Sequence, residues 1–265
     1  MNADRLADNL QSVLLGRRLE CHEKLTSTND RARELLDLFG PAAHGAVVTA
    51  DLQTAGRGRL GRLWHGTAGR SLAMSVALWP PAAAVGLTCV PLAAALAVRA
   101  SLARCGVEAL LKWPNDLLVG GRKIAGVLLE GRFGGDGHKG LALGIGVNLG
   151  QASAEFPPEL AGSAVSVREI TGEAPDPERF AADTLLHLEP LLKLSLANPP
   201  ALVALARDAW AHPVGTPLAV TAGSEVIEGR FDGVGSEGEL RLRTGTGLRV
   251  VRQGDVEQVR PGGAP

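Results

Sequence analysis

The sequence predicts an α+β fold with a mixed, mostly antiparallel β-sheet flanked by helices, followed by a small C-terminal β-barrel. Three observations carry that prediction. Strand-like segments cluster between residues 46 and 148 with a single long helical pattern among them, which is not the regular strand–helix alternation of a parallel sheet. Helical patterns then follow at 177–196 and 200–211, with Pro199 and Pro200 between them. After Trp210 short alternating strands with Gly-rich turns take over, the pattern of a barrel of about 50 residues. His212-Pro213 is the expected boundary, giving domains at 1–212 and 213–261.

Taken in order, residues 3–15 carry an amphipathic helical pattern and 18–25 a strand. Ser27, Thr28 and Asn29 precede a helix whose Leu35, Leu36 and Phe39 share one face and which stops at Gly40-Pro41. Residues 46–50 read as a buried strand. The stretch 53–69 has no apolar periodicity, is rich in Gly and Arg, and reads as a long loop of the functional or mobile kind. A strand follows at 72–79 and a helix at 87–104, buried along its Ala/Leu face. A short strand at 109–112 ends at Pro114. Residues 116–119, the Gly120-Gly121 turn and residues 123–130 form a β-hairpin, and 141–148 adds another strand. In the C-terminal part the strands are expected at 218–221, 226–231, 239–243 and 248–252.

Composition narrows the function classes. Of 265 residues, 45% are apolar and 21% charged, which supports a sizeable core and excludes a disordered or collagen-like chain. Lys plus Arg (27) against Asp plus Glu (28) gives a net charge of -1, so any grip on nucleic acid must come from a local patch. Aromatics make up 3% with no Tyr, a poor supply for stacking bases. Cys21, Cys89 and Cys105 form no CxxC pair, which points away from structural zinc and disulfides and toward reduced thiols in the cytoplasm. Asp4, Arg5 and Asp8 at the N-terminus do not suit a signal peptide. The apolar run 85–98 holds Pro91, ends at Arg99 and is too short to span a bilayer, so no membrane partner is expected.

Four segments carry candidate chemistry. In the first, Gly56, Gly58 and Gly61 satisfy GxGxxG, but no helical run follows as a dinucleotide fold requires, and no P-loop Lys-Ser/Thr is present. Instead Arg57, Arg59 and Arg62 are interleaved with the glycines around Leu60. Two readings fit: a solvated basic turn, or a pliant ribbon whose guanidiniums hold phosphate or carboxylate oxygens. The second segment runs from Lys112 through Trp113, Pro114, Asn115 and Asp116, and is followed by Lys123, Ile124, Ala125 and Gly126. Lys123 opens an apolar strand, so its amine either snorkels to water or neutralises a developing negative charge. Asn115 and Asp116 also suit a simple turn. In the third, Ser27 and Asp30 have capping-box spacing, while Ser27, Thr28 and Asn29 equally suit the polar head of a ligand. The fourth, Gly144 to Asn148, ends a strand in an amide and says little alone.

In this order, Ser-Thr-Asn, Gly-Arg-Gly-Arg-x-Gly-Arg, Lys-Trp-Pro-Asn-Asp, Lys-hydrophobic-Ala-Gly and Gly-x-Gly-x-Asn resemble the biotin protein ligases, over residues 27–148. The pairing of the arginine–glycine segment with Lys-Trp-Pro-Asn-Asp is specific. Lipoate ligases and octanoyltransferases share that family's catalytic fold without the pair. The resemblance implies a catalytic domain like that of the class II aminoacyl-tRNA synthetases, with an SH3-like domain after it. It also implies that biotin and MgATP give biotinyl-5′-AMP and pyrophosphate, and that the acyl group passes to a lysine of a biotin carboxyl carrier protein. Carried over by position, Lys123 and Arg59 are the catalytic pair. Biotin would meet Ser27, Thr28, Asn29, Gln53, Gly56, Arg57, Arg59, Lys123 and Gly126. ATP and the adenylate would meet Arg59, Leu60, Gly61, Arg62, Trp64, Lys112, Asn115, Asp116, Lys123 and Asn148. Mg²⁺ would come with the ATP phosphates, its ligands unassigned.

The resemblance allows a homodimer. Some relatives carry an N-terminal winged helix-turn-helix, but the stretch before Ser27 is too short for one, so no operator binding is expected. A related acyltransferase acting on lipoyl domains, and an RNA-binding module built on the arginine loop, are the competing readings.

Overall fold

The computed structural model describes residues 1–133 and 139–258. In chain order it contains α1 (Ala3–Asn9), β1 (Leu19–Leu25), α2 (Thr28–Phe39), β2 (Val47–Gln53), β3 (Ser71–Leu78), α3 (Val90–Arg104), β4 (Leu110–Lys112), β5 (Asp116–Val119), β6 (Arg122–Phe133) and β7 (Lys139–Asn148). These are followed by α4 (Val167–Thr171), α5 (Pro177–Ala197) and α6 (Pro199–Leu205), then β8 (Pro217–Ala222), β9 (Glu225–Val234), β10 (Leu240–Thr244), β11 (Gly247–Val251) and β12 (Asp255–Gln258).

Seven strands form one sheet in the order β1-β2-β3-β7-β6-β5-β4. The pair β1–β2, joined through α2, is parallel and the other neighbours are antiparallel, so the sheet is mixed as expected. The β5–β6 hairpin turns on Gly120 and Gly121, both at positive φ (56° and 78°), the geometry two-residue hairpins favour.

Side-chain size alternates along β3 and β7, and this decides the two faces. Leu72, Met74, Val76 and Leu78, with Leu141, Leu143, Ile145 and Val147, join α3 and α5 in the main core. On the opposite face Ala77 and Ala142 pack against Leu35 and Leu36 of α2. There Ser75 lies opposite Gly144, Ala73 opposite Gly146 and Ser71 opposite Asn148. The first two rows hold only small residues, and they leave room for a cavity beside α2 that the Asn148 amide borders.

The apolar run extends beyond 85–98. Leu87–Arg104 is long and apolar enough to cross a membrane by length and composition, yet 61% of it is buried, against the sheet and α5. The first helix ends at Asn9 rather than 15. Beyond it the backbone N–H groups of Leu14 and Leu15 donate to Glu189 of α5 at 2.8 and 3.2 Å, replacing the helical bonds a continuation would have made. The helix expected at 200–211 stops at Leu205. Trp210 instead bridges Leu111, with Ala211 N donating to the Leu111 carbonyl at 2.8 Å.

The C-terminal sheet has the order β11-β10-β9-β8-β12, compatible with an SH3-like domain. Its fifth strand, β12, has a single apolar residue, Val256, and gave no alternation to read. Residues 259–261 of the expected domain lie outside the described residues. Trp113 inserts into the core of this sheet beside Leu218 and Phe231, and its Nε1 donates to the Gly238 carbonyl at 2.9 Å.

Candidate active site

The N-terminus of α2, the arginine–glycine loop, the start of β6 and the small-residue face of β7 surround a cavity of about 260 Å³. Positions along β7 order its contents. A Cβ on Gly144 would lie 2.6 Å from Asn29 Oδ1, and one on Gly146 would lie 2.5 Å from the Trp64 indole, so both side chains rest directly on the bare strand. Asn148 closes the series.

At the Gly144 end Thr28, Asn29, Gln53 and Ser75 are neutral and hydrogen-bonded to one another, and behind them Asn29 Nδ2 donates to Glu130 Oε2 at 2.7 Å, the carboxylate that also pairs with Arg57. Gln53 Oε1 accepts from Thr28 N at 2.8 Å and from Thr28 Oγ1 at 3.1 Å, which orients its amide. Ser75 Oγ lies 2.7 Å from Thr28 Oγ1 and 2.6 Å from Asn29 Oδ1, its one proton serving one of them at a time. Ser27 occupies the N-cap, but its side chain caps nothing. The expected capping box is not formed, because Asp30 turns away to pair with Arg57 and Arg33.

The other end is ionic. Lys123 Nζ lies 2.6 Å from Asp116 Oδ1 and 5.8 Å from the Trp64 ring centroid. A Cβ on Gly126 would sit 3.0 Å from Lys123 Cε, so glycine there lets the lysine fold back over the strand. The Lys123 backbone is clamped by residues 163–165, donating to the Ser163 carbonyl at 2.8 Å and accepting from Val165 N at 3.0 Å.

Arg59 Nη1 donates to the Gly254 carbonyl at 3.0 Å and to Asp255 Oδ1 at 3.4 Å. Burial pulls this guanidinium below its usual range while Asp255 and Asp116 oppose the shift; an arginine remains charged throughout. Arg62 Nη2 lies 2.5 Å from Asp255 Oδ2. The turn between these arginines places Leu60 in the left-handed region (φ 54°), unfavourable for a leucine.

A match to the biotin/lipoate A/B protein ligase family spans residues 22–148, the stretch that builds this cavity apart from Phe156, Leu160, Ser163, Ala164 and Asp255. The biotin–[acetyl-CoA-carboxylase] ligase of Paracoccus denitrificans is 36% identical over 244 residues, covering 88% of this chain and 98% of that protein. The chain belongs to the biotin protein ligase family. The ligase/repressor BirA of Bacillus subtilis is 32% identical over 249 residues, covering 94% of this chain and 76% of that protein. Among solved structures, the biotin protein ligase of Aquifex aeolicus in complex with biotin and ATP superposes with a TM-score of 0.78 at 28% identity, covering 92% of this chain and 99% of that one.

Of the residues singled out for this ligase, Ser27, Thr28, Asn29, Gln53, Arg57, Arg59, Arg62, Trp64, Asn115, Asp116, Lys123, Gly126 and Asn148 line the cavity. Gly56, Leu60, Gly61 and Lys112 do not. Gly56 lies behind the wall, where its carbonyl accepts from Trp64 N at 2.9 Å. Leu60 and Gly61 form the exposed turn. Lys112 is kept away because the neighbouring Trp113 is anchored in the C-terminal core.

Two lining residues have other work. Arg57 donates to both oxygens of Asp30 at 2.7 and 2.8 Å and to Glu130 at 3.2 Å, so its charge braces α2, β6 and the loop together. Asn148 Nδ2 donates to the Val165 carbonyl at 3.1 Å and its Oδ1 accepts from Gln151 at 3.2 Å, which fastens the segment behind Lys123. Sequence reasoning missed Glu130, Ser75, His65 and Asp255. The first two sit in ordinary strands, His65 carried no partner in the sequence, and Asp255 is distant along the chain.

Proposed function

We infer that the chain activates biotin with MgATP, forming biotinyl-5′-AMP and pyrophosphate, and then passes the biotinyl group to one lysine of a biotin carboxyl carrier protein. One observation carries the reading: the Gly144 end of the cavity presents hydroxyls and amides, its one cation Arg57 neutralised by Asp30 and Glu130, while the Asn148 end presents Lys123 with ammonium protons to spare. That gradient matches an uncharged ring system joined by an aliphatic chain to a carboxylate. The printed ligands of the Aquifex relative, biotin and ATP, support it. So do the names of the Paracoccus and Mycobacterium tuberculosis relatives, both biotin–[acetyl-CoA-carboxylase] ligases.

In the first step a biotin carboxylate oxygen attacks the α-phosphorus and the bond to pyrophosphate breaks. Two anions approach each other, and the repulsion is the barrier the protein must lower. Lys123 supplies an ammonium already fixed by Asp116, with protons left for ligand oxygens. Arg59 keeps its Nε and Nη2 edge free of hydrogen bonds among the described residues. In the second step the neutral amine of the carrier lysine attacks the acyl carbon, and AMP leaves with the carbon–oxygen bond electrons. Mg²⁺ enters with the nucleotide as part of the MgATP substrate, bound to its phosphates. We take residues 1–212 as the domain that performs both steps and residues from 213 as its C-terminal partner.

Biotin-dependent ATP–pyrophosphate exchange by the purified protein, followed by transfer of radiolabelled biotin to a carrier domain, tests the reading. Exchange and label on the carrier are expected. Turnover of lipoate onto a lipoyl domain with no biotin label would replace it by the acyltransferase reading.

A further inference from the structure

We propose that Asp255, from the C-terminal sheet, is a positioning residue for adenylation: it holds the Arg59 and Arg62 guanidiniums over the cavity. The proposal rests on the biotin–ATP reading of that cavity. Asp255 opens β12, whose backbone is registered against β8 through Asp255 and Thr221. Its side chain is 16% exposed, lines the cavity, and pairs with both arginines: Oδ1 accepts from Arg59 Nη1 at 3.4 Å, and Oδ2 lies 2.5 Å from Arg62 Nη2 as an ion pair without hydrogen-bond geometry. The adjacent Gly254 carbonyl takes a further Arg59 proton at 3.0 Å.

The geometry of Arg59 gives the contact its meaning. Both hydrogen bonds use Nη1, and Nε and Nη2 remain unpaired among the described residues. A carboxylate gripping one corner of a planar fork fixes the direction of the other edge. Arg62 is 69% exposed, and without its ion pair would range through solvent. Ordering two long cationic side chains before the nucleotide arrives removes a cost that ligand binding would otherwise bear. The loop itself, residues 53–66, contains no Asp or Glu, and the acids of the neighbouring elements, Asp30, Glu130 and Asp116, are already paired with Arg57 and Lys123.

A purely structural ion pair between the two domains would predict loss of stability alone. The experiment therefore compares Asp255→Asn, which removes the charge at constant shape, with Asp255→Glu, which restores it. Val256→Ala is the control, because Val256 is buried in the C-terminal core on the same strand. In biotin-dependent ATP–pyrophosphate exchange, Asp255→Asn is expected to raise KM for ATP about five- to tenfold with KM for biotin within about twofold, and Asp255→Glu to recover most of the loss. Amide exchange over residues 59–62 of the ligand-free protein is expected to quicken in Asp255→Asn. Val256→Ala is expected to lower the melting temperature and leave KM for ATP and loop exchange unchanged. Wild-type KM values and loop exchange in Asp255→Asn would overturn the proposal, as would Val256→Ala reproducing its effects. If the wild-type protein shows no biotin-dependent exchange, the biotin reading fails, and amide exchange in Asp255→Asn still decides whether Asp255 orders the loop.

Discussion

The two arms of the arginine–glycine loop are held by different means. The arm carrying Arg57 is tied to α2 and β6, beside and within the seven-stranded sheet: its guanidinium is shared between Asp30 and Glu130, and Trp64 N and Gly58 N make backbone bonds across the loop at 2.9 and 2.7 Å. The turn carrying Arg59 and Arg62 is tied to the C-terminal sheet through one carboxylate and one carbonyl. Three arginines equivalent in the sequence therefore divide into a brace, whose donors serve the protein, and a pair with donors to spare. A cation surrounded by its own acids stabilises the fold; one with a free edge can answer a ligand.

The largest expected effect separates the arms directly. Arg59→Ala and Lys123→Ala should each lower adenylation on the order of 10²- to 10³-fold, with melting temperatures close to wild type. Arg57→Ala removes the cation shared by Asp30 and Glu130, leaving Asp30 only Arg33 and Glu130 only the Asn29 amide, so it should cost about 2 kcal/mol of stability, less than a fully buried pair because water reaches the site. Pyrophosphate exchange and thermal unfolding measured on the three variants decide the matter. Full stability in Arg57→Ala with activity as low as in Arg59→Ala would erase the distinction between brace and ligand.

Gly146→Ala sharpens it from the other side. The added Cβ would lie 2.5 Å from the Trp64 indole, which is held by the braced arm and cannot retreat freely. Displacing the ring by about 1 Å should cost roughly 10-fold or more in kcat/KM for ATP. A variant with unchanged kinetics would mean that the braced arm yields easily.

A smaller effect concerns exchange within the loop. The Gly58 and Trp64 amides, bonded across the ribbon, should exchange more slowly than those of Leu60 and Gly61 at the exposed turn. The sequence, with no periodicity over 53–69, predicted one long loop without internal divisions. Hydrogen-exchange mass spectrometry with fragments ending near residue 58 resolves the two, and uniform rapid exchange would contradict the braced arm.

Much of the catalytic domain was readable because its signals are local. The period-2 pattern in β3 and β7, the Gly120-Gly121 turn and the Gly40 stop each depend on neighbours in the chain. The cluster of Ser27, Gln53, Arg59 and Lys123 was legible only through motif spacing, which carries no distances. What escaped depends on partners far away. Nothing near Arg57 indicates that Glu130 will lie beside it, and nothing near Asp255 points to residues 59 and 62. Lys112 and Asp116 illustrate the same limit inside one motif, since Trp113 between them packs into the core of the C-terminal sheet and, of the two, only Asp116 reaches the cavity.

The smallest effect tests the brace through pH. Hydrogen bonds from Arg57, opposed by partial burial and assisted by Arg33, lower the Asp30 carboxyl from 3.8 to about 2. A carboxylate whose folded value lies below its unfolded one stabilises the protein fully above the unfolded value. That contribution fades as pH falls from about 4 toward 2, because the unfolded chain takes up the proton first. Water reaches part of the side chain, so the contribution is of order 1 kcal/mol once solvent screening is allowed for. Asp30→Asn removes it at every pH. Urea unfolding of wild type and Asp30→Asn should therefore give a gap at pH 6 that narrows by pH 3. A gap that stays constant over this range would show that Arg57 does not depend on the Asp30 charge, and that Glu130 alone holds the first arm of the loop.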